Sequence, residues 1–199
     1  MSEEIRCFLA VEISDEVRQA AGRLVEKLRK GIQFTKAHPS WVRLDNQHFT
    51  VVFLGNRSPE QVEQIKAALA DLPGQIAPFR VEVTGLGVFP NERNPRVLWL
   101  GVRDGAQGFA NLYDKIIARL RPVGFEPESR PFHPHLTLAR IKSFRGAAEM
   151  MSIVRSHQNE PCGEYTASGL TFFRSQLHPA GATYTPLAHW DFERGRADS

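Results

Sequence analysis

The sequence predicts a protein of the α+β class built from two similar copies of one structural unit. Apolar residues recur at helical spacing in some segments and alternate with polar residues in others, which indicates a mixture of helices and strands. A His-x-Thr motif occurs twice, at residues 48–51 and 135–138, each time within a run rich in β-branched, aromatic and leucine residues. Helix, motif strand, helix and β-hairpin follow one another in the same order in both halves of the chain. A repeat of this length indicates a duplicated lobe, not a solenoid.

The composition is that of an ordinary globular protein. The chain has 199 residues, of which 42% are hydrophobic and 24% charged, and its formal net charge of +3 mildly favours anionic partners. We expect residues 1–199 to form a single bilobal domain built from the duplicated α/β unit. Cys7 and Cys162 lie far apart and predict neither a disulfide framework nor a zinc site. No signal peptide opens the chain and no apolar run could cross a bilayer, so we expect a cytoplasmic protein without a membrane partner.

In the first half of the chain, capping and turn residues separate the predicted elements. A strand over Ile5–Ile13 stops at Ser14, a good N-cap residue, and apolar residues then follow helical spacing until Gly31 ends the helix. A second helix begins at Ser58-Pro59, because proline is favoured at the first helical position, and it ends at Pro73-Gly74. The remaining elements are the motif strand from His48 and a hairpin with strands Phe79–Phe89 and Arg96–Val102.

The second half repeats this order. A helix over Gly108–Leu120 precedes the motif strand at His135, and a further helix covers Ala147–His157. A closing hairpin is predicted from Glu164–Gln176 and Thr183–Phe192. The polar tail from residue 193 to residue 199 is expected to be frayed.

Strand geometry places the two polar residues of each motif on one face. Side chains two residues apart in a strand point the same way, so His48 shares a face with Thr50, and His135 with Thr137. The apolar residues that face the opposite way are Phe49, Val51 and Phe53 in the first motif and Leu136 and Leu138 in the second. Two similar lobes packed together would bring the two polar faces to one cleft.

A pair of imidazoles and a pair of hydroxyls suit phosphoryl transfer without a metal ion. One neutral histidine takes a proton from the attacking water, and the other, protonated, gives one to the departing oxygen. Histidine serves both roles because its ordinary pKa is about 6.5. The hydroxyls of Thr50 and Thr137 would donate hydrogen bonds to the phosphate oxygens. One His-x-Thr motif is a weak signal, whereas two at equivalent places indicate an acid–base phosphoesterase.

The chain resembles the bacterial and archaeal RNA 2',3'-cyclic phosphodiesterases, historically called 2'-5' RNA ligases, of the 2H phosphoesterase superfamily. The resemblance covers almost the whole chain. Its carriers are Arg6–Ala10, Trp41-Val42 ahead of His48–Val51, the hairpin from Gly87–Pro90 to Pro95–Trp99, and Arg130–Phe132 leading into His135–Arg140. The resemblance implies a bilobal fold, in which two similar lobes, each with an antiparallel sheet and flanking helices, enclose an active-site cleft. It also implies hydrolysis of a terminal 2',3'-cyclic phosphate to a 2'-phosphomonoester, with possible reversible 2'-5' RNA ligation.

The same resemblance implies roles for individual residues. His48 would be the proton donor and His135 the proton acceptor, while Thr50, Thr137 and Arg140 would bind the phosphate. The position of Arg140 is in tension with strand geometry, because in a flat strand it would point away from the face that carries His135. Only strand twist or the end of the strand would bring it back to the site.

Three further residues are candidates for contacts in the cleft. Trp41 and Phe132 could stack on a nucleobase, although packing in the core is an equally good explanation for each. His133 shares a face with His135, so it is either a contact at the edge of the cleft or the second ligand of a metal pair. Pro134 between them and the lack of nearby carboxylates or cysteines argue against a metal.

Two alternatives to the leading function remain. One is a metal-dependent phosphoesterase that uses His133 and His135 as ligands, and the other is a catalytically silent module that binds RNA ends. For the leading function we expect no cofactor and no metal. The expected partners are RNA with 2',3'-cyclic phosphate ends or small cyclic nucleotides, bound by a monomer.

Overall fold

The computed structural model describes residues 4–33, 35–127, 130–143, 145–179 and 181–193. In chain order the elements are β1 (Ile5–Glu12), α1 (Asp15–Ile32), β2 (Pro39–Trp41), β3 (His48–Arg57), α2 (Pro59–Leu69), β4 (Phe79–Asn91), β5 (Asn94–Asp104), α3 (Ala106–Leu120), β6 (Leu136–Ile141), α4 (Ala147–Ser156), β7 (Glu164–Ala167), β8 (Gly169–His178) and β9 (Gly181–Asp191). Most residues of the predicted frayed tail, from 194 onward, lie outside the described residues.

Within the described residues, nine strands form one antiparallel sheet. Its order is β7-β4-β5-β6-β3-β1-β8-β9, and β2 also pairs with β6. The two motif strands, β3 and β6, are therefore neighbours at the middle of the sheet, with an equivalent set of strands on each side. The predicted fold class is confirmed, and the sheets of the two lobes are continuous through the β3–β6 pairing.

The helices cover one face of this sheet and leave the other to the functional residues. The apolar side chains Cys7, Leu9 and Val11 of β1 belong to the main core, together with residues of α1 such as Val17 and Leu24. The ring of Phe49 on β3 packs against Phe109 of α3 at a centroid distance of 5.0 Å. His48 and Thr50 therefore point away from the helices, and we call their side of the sheet the cleft face.

Local sequence signals start the first two helices at the predicted caps, but the predicted end of α2 at Pro73-Gly74 is wrong, because α2 ends at Leu69 and a separate 3₁₀ turn covers Pro73–Gln75. The hydroxyl of Ser14 accepts a hydrogen bond from the backbone nitrogen of Val17 and caps α1. Ser58 and Gln61 form a reciprocal capping box at α2. Gly31, however, does not end α1, which continues to Ile32. A Cβ atom at Gly31 would lie 2.9 Å from Cγ2 of Ile153, so this glycine lets α4 approach α1.

The predicted strand over 164–176 is wrong, because the chain forms two strands there. β7 ends at Ala167 and β8 begins at Gly169, on the other side of Ser168. β7 pairs with β4, whereas β8 pairs with β1 at the opposite side of the sheet. The β4–β5 hairpin comes from the first half of the chain but pairs with β6, the second motif strand. The β8–β9 hairpin comes from the second half but pairs with β1, which lies beside β3, the first motif strand. The two halves of the sequence thus exchange their hairpins, so that neither half of the sheet is contiguous in sequence.

None of the helices in the described part of the chain is both long and apolar enough to cross a membrane.

Candidate active site

The pairing of the two motif strands brings their polar residues into one array. Phe49 of β3 lies directly opposite Leu136 of β6 in an antiparallel register. Antiparallel pairing then places His48 opposite Thr137, and Thr50 opposite His135, all on the cleft face. Directly opposed side chains in a sheet have Cβ atoms about 5 Å apart. The positive charge of a protonated His135 lowers the pKa of His48, which agrees with this closeness.

The first imidazole is held through both ring nitrogens. Nε2 of His48 lies 3.0 Å from Oγ1 of Thr50. A hydrogen bond to the backbone of Asn46 engages the ring as well and raises the pKa of His48. Since Nε2 faces Thr50, we assign the bond with Asn46 to Nδ1. In the neutral ring Nδ1 then carries the proton, and Nε2 accepts a hydrogen bond from the Thr50 hydroxyl.

The second imidazole repeats this arrangement. Nδ1 of His135 lies 2.8 Å from the backbone oxygen of His133, so Nδ1 is the donor and the ring has the same tautomer as His48. In both motifs the acceptor is therefore the carbonyl two residues before the histidine. This leaves Nε2 of each ring as the nitrogen that can exchange a proton with a substrate.

Burial lowers the pKa of both histidines. For His48 burial is the largest cause and brings the pKa to about 4, with smaller contributions from the positive charges of His135 and Arg18. The pKa of His135 is also lowered, chiefly by burial and further by the charges of His133 and Arg140. Without a bound anion both rings are thus neutral at pH 7. An anionic phosphate between them would favour the protonated forms and raise both pKa values.

Aromatic side chains form the walls around both imidazoles. The ring of His48 stacks on Phe8 at 4.8 Å and meets the edge of Tyr184 at 5.3 Å. Phe8 and Tyr184 belong, with Ala10 and Phe173, to a small apolar cluster that is separate from the main core. On the other side, the ring of His135 lies 5.0 Å from Phe89 in an edge arrangement. These rings remove water from the imidazoles and cause the lowered pKa values.

Trp99 completes the wall next to His135. Its indole lies 6.4 Å from the His135 ring and 5.2 Å from the ring of His133. It covers Gly87, the residue directly opposite it on β4. A Cβ atom at Gly87 would overlap the indole, so glycine is required there.

The structure brings Arg140 to the site by means of a β-bulge. Thr137 pairs with Trp99, but Ala139 pairs with Leu98 and Arg140 with Val97, so Leu138 is the extra residue. Val97 and Trp99 share a face of β5, and Arg140 therefore shares the cleft face with Thr137. The tension with flat-strand geometry is thereby resolved by a bulge, not by twist or the end of the strand.

The first motif contains the equivalent bulge, which makes one prediction wrong. Ala10 pairs with Thr50 and Leu9 with Val52, so Val51 is the extra residue in β3. Phe53 was predicted to lie on the buried face with Phe49, but the bulge turns it to the cleft face. There it pairs with Phe8 and is 40% exposed.

The other predicted contacts lie in different places. Trp41 pairs with Ala139, on the side of β6 that faces the helices, and its ring lies beneath the guanidinium of Arg29. Phe132 stacks on Tyr113 of α3 at 4.8 Å. For both residues the structure favours the packing alternative over a nucleobase contact. His133, by contrast, is exposed beside the aromatic wall of the second imidazole.

The described residues provide no cluster of three potential metal ligands. The candidate pair, His133 and His135, therefore gains no third His, Cys, Asp or Glu among them. The pair would have to hold a metal with ligands from the substrate or solvent.

Sequence reasoning missed the residues that surround the imidazoles. Phe8, Phe173 and Tyr184 come from β1, β8 and β9, which are distant from His48 in sequence. The alternation along β1 could have placed Phe8 on the same face as Ala10, but only the tertiary pairing shows which histidine that face meets. Arg18 was missed for the same reason, although its guanidinium binds the backbone oxygen of Leu44 and fixes the turn before His48.

Comparisons with known proteins agree with this architecture. The family model described as "LigT like Phosphoesterase" matches the chain twice, over residues 11–99 and 100–184. An RNA 2',3'-cyclic phosphodiesterase of Methanothermobacter thermautotrophicus is 32% identical over 184 residues, which cover 92% of this chain and 97% of that protein. A protein of the same name from Thermus thermophilus is 34% identical and covers 96% of this chain, with 93% of its own length matched.

Solved structures show the same fold. The crystal structure of TT0787 of Thermus thermophilus superposes with a TM-score of 0.78 at 31% identity, covering 97% of this chain and 100% of that one. E. coli LigT complexed with phosphate superposes with a TM-score of 0.67 at 25% identity, with the same coverage of both chains. Each of the two matches of the family model contains one motif strand, β3 in residues 11–99 and β6 in residues 100–184. The resemblance inferred from the residues is confirmed, and the chain belongs to the LigT-like phosphoesterase family.

Proposed function

We propose that the protein hydrolyses the 2',3'-cyclic phosphate at the end of an RNA to a 2'-phosphomonoester without a metal ion. The observation that carries this proposal is the array formed by His48, Thr50, His135 and Thr137 on the cleft face. Two imidazoles whose Nε2 atoms are both available can act on opposite sides of one phosphorus atom. The names of the relatives, and the phosphate in the E. coli LigT structure, support the same chemistry.

In the proposed reaction, water attacks the phosphorus and the bond from phosphorus to O3' breaks. Nε2 of His135 takes the proton of the water, and Nε2 of His48 gives a proton to O3', which leaves a 3'-hydroxyl and a 2'-phosphate. With a 5'-hydroxyl in place of water, the same forward steps would join RNA ends through a 2'-5' bond and free the 3'-hydroxyl, and the reverse of that reaction would cleave the bond and restore the cyclic phosphate. Thr50, Thr137 and Arg140 bind the phosphate oxygens.

The low pKa of His48 requires that substrate binding protonate this ring. In the free protein Nε2 of His48 accepts the hydrogen bond of the Thr50 hydroxyl. When the phosphate anion binds, the pKa rises, and a protonated Nε2 becomes a donor. The hydroxyl of Thr50 then loses its acceptor and can donate to a phosphate oxygen instead. Binding the anion thus prepares the acid and a phosphate donor together.

Assay of a nucleoside 2',3'-cyclic phosphate in the presence of a chelator tests this function. Turnover in chelator with a nucleoside 2'-phosphate as the product is the expected result. Turnover that disappears in chelator and returns with added metal would favour the metal-dependent alternative through His133 and His135. Tight binding of RNA ends without turnover would favour the silent binding module.

We further propose that the protein acts as a monomer in the cytoplasm and that residues 1–199 form one domain. The continuous sheet supports the single domain, since hairpins from each half of the chain complete the other half of the sheet. Analytical ultracentrifugation tests the monomer, and a species of twice the chain mass would overturn it.

A further inference from the structure

A second guanidinium lies on the cleft face, on the side of the first motif. Arg6 alternates with Phe8 and Ala10 along β1, so all three residues share this face. The guanidinium carbon of Arg6 lies 4.5 Å from the centre of the Phe53 ring. Arg6 is exposed, and none of the ion pairs among the described residues involves it. An exposed cation that rests on an aromatic ring is well placed to meet an anion from solvent.

The duplicated architecture relates this guanidinium to Arg140. The bulges at Val51 and Leu138 occupy the same place in the two motifs, one residue after each threonine. Phe53 is therefore the counterpart of Arg140, five residues after the motif histidine in each case. The first motif strand lacks a cation at this position, and Arg6 supplies one from the neighbouring strand by stacking on Phe53.

The Tyr184 side chain is close enough to both guanidiniums to be affected by their charges. Its ring meets the edge of the His48 ring at 5.3 Å. The charges of both Arg140 and Arg6 lower the pKa of Tyr184, against the larger effect of burial, which raises it. One hydroxyl beside the first imidazole thus lies within electrostatic reach of both cations. The cleft face therefore carries two exposed guanidiniums, Arg140 on β6 and Arg6 on β1, and β3 separates these two strands.

The position of Arg6 suits a second phosphate. His48 stacks on Phe8, and Arg6 lies two residues further along the same strand. The Cα atoms of Arg6 and Phe8 are therefore about 7 Å apart. Such an offset is comparable to the spacing of successive phosphates in an extended RNA strand. A terminal nucleotide in RNA carries one such phosphate on its 5' oxygen, where it is joined to the preceding nucleotide.

We propose that Arg6, positioned by Phe53, binds the 5'-phosphate of the terminal nucleotide while His48 and His135 bracket the cyclic phosphate. This inference rests on the proposed function of the same cleft. It makes Arg6 a residue that selects the ends of RNA strands over nucleoside cyclic phosphates without a 5'-phosphate.

Two small substrates isolate this single contact. One is a nucleoside 2',3'-cyclic phosphate, and the other is the same molecule with an added 5'-phosphate. A charged hydrogen bond to that phosphate should raise kcat/KM of the wild-type protein for the second substrate about tenfold or more. Arg6→Ala should reduce the ratio of the two kcat/KM values to about one. Arg23→Ala, which removes an exposed arginine from α1 on the helix side, is the matched control and should keep the wild-type ratio.

Two further variants examine how Arg6 is held. Arg6→Lys keeps the charge but loses the planar guanidinium, which stacks on Phe53 and can donate two hydrogen bonds to one phosphate. This variant should therefore retain only part of the preference for the 5'-phosphorylated substrate. Phe53→Leu should weaken the preference while Arg6 is still present, because the ring positions the guanidinium. The loss in both variants should appear in KM for the 5'-phosphorylated substrate, since kcat reports the histidines.

A wild-type protein without preference for the 5'-phosphate would overturn the inference, and so would an Arg6→Ala variant that keeps the preference. An equal fall for both substrates in Arg6→Ala would also overturn it, because Arg6 would then act on the cyclic phosphate or on the fold. If the wild-type protein hydrolyses neither substrate, the proposed function fails. Calorimetric binding of nucleoside 2'-phosphates with and without a 5'-phosphate to wild type and Arg6→Ala then decides the role of Arg6 separately.

Discussion

Phe49 lies directly opposite Leu136, and this one register position organises the site. Both side chains face the helices, and the residues on either side of each face the cleft. A shift of the register by one residue would turn a whole set of side chains to the wrong face of the sheet. The pairing therefore joins the two lobes and, at the same time, arranges two histidines and two threonines around one space.

Removal of either histidine should abolish most of the activity. His48→Ala and His135→Ala should each lower kcat about 10²–10⁴-fold, the usual effect of losing a positioned acid or base. His178→Ala, at an exposed position near the end of β8, is the matched control and should keep wild-type kcat. Steady-state kinetics with a nucleoside 2',3'-cyclic phosphate measures the effect. Near-normal turnover of His48→Ala without added imidazole would contradict the account.

The threonines should matter less than the histidines. Thr50→Val or Thr137→Val removes one donor to the phosphate but leaves the acid and the base in place, so each should lower kcat less than the loss of the histidine in the same motif. Each variant should therefore stay more active than the histidine variants. Thr185→Val, at an exposed position on β9, is the control. A threonine variant as inactive as His48→Ala would show that the hydroxyl has more than a binding role.

The fold class, the order of the elements and the polar faces of the motifs could all be predicted from the sequence. These features depend on local periods and on capping residues such as Ser14 and Ser58, which the chain displays directly. The exchange of hairpins could not be predicted, because it depends on which distant strands pair. Neither could the bulges, since Val51 and Leu138 are ordinary strand residues with no local signal. As a result, simple alternation along the strands predicted that Phe53 and Arg140 face the helices, whereas the bulges turn both to the cleft face.

The pH dependence should differ between the free protein and its complex. The profile of kcat/KM reports the pKa values of the free protein, and both histidines have pKa values below their ordinary 6.5. We therefore expect kcat/KM to be bell-shaped, with its maximum below pH 6.5. The profile of kcat reports the complex, in which the phosphate raises both pKa values, so its maximum should lie at higher pH. Coincident maxima would contradict this coupling to phosphate binding.

The limbs of these profiles test the roles of the two histidines. The apparent pKa values belong to the interacting pair. In the residual activity of His48→Ala the alkaline limb should flatten, because no proton donor is left to lose. In the pH profile of the residual activity of His135→Ala, the acid limb should flatten instead, because no base is left to be protonated. The reverse pattern would exchange the two roles and leave the site itself unchanged.

The buried imidazole of His48 should make the fold sensitive to acid. Its pKa in the folded protein is about 4, below its ordinary 6.5, so the unfolded chain takes up a proton first as the pH falls. This contribution to stability is present above pH 6.5 and is lost as the pH falls towards 4. The Tm of His48→Gln, measured by thermal unfolding, should therefore fall less over this pH range than the Tm of the wild type. His178→Gln should follow the wild type, and an identical decline in all three proteins would show that His48 titrates normally.

The most direct test of the central claim is an NMR titration of the two imidazoles with a nucleoside 2'-phosphate, the proposed product. The protein carries 15N-labelled histidine, and the His48→Ala and His135→Ala spectra assign the signals. If both rings bracket one phosphate, the Nε2 signals of His48 and His135 should shift together towards the protonated form and saturate at the same ligand concentration with one equivalent bound. A response from only one ring, or saturation of the two rings at different concentrations, would contradict a single site between them.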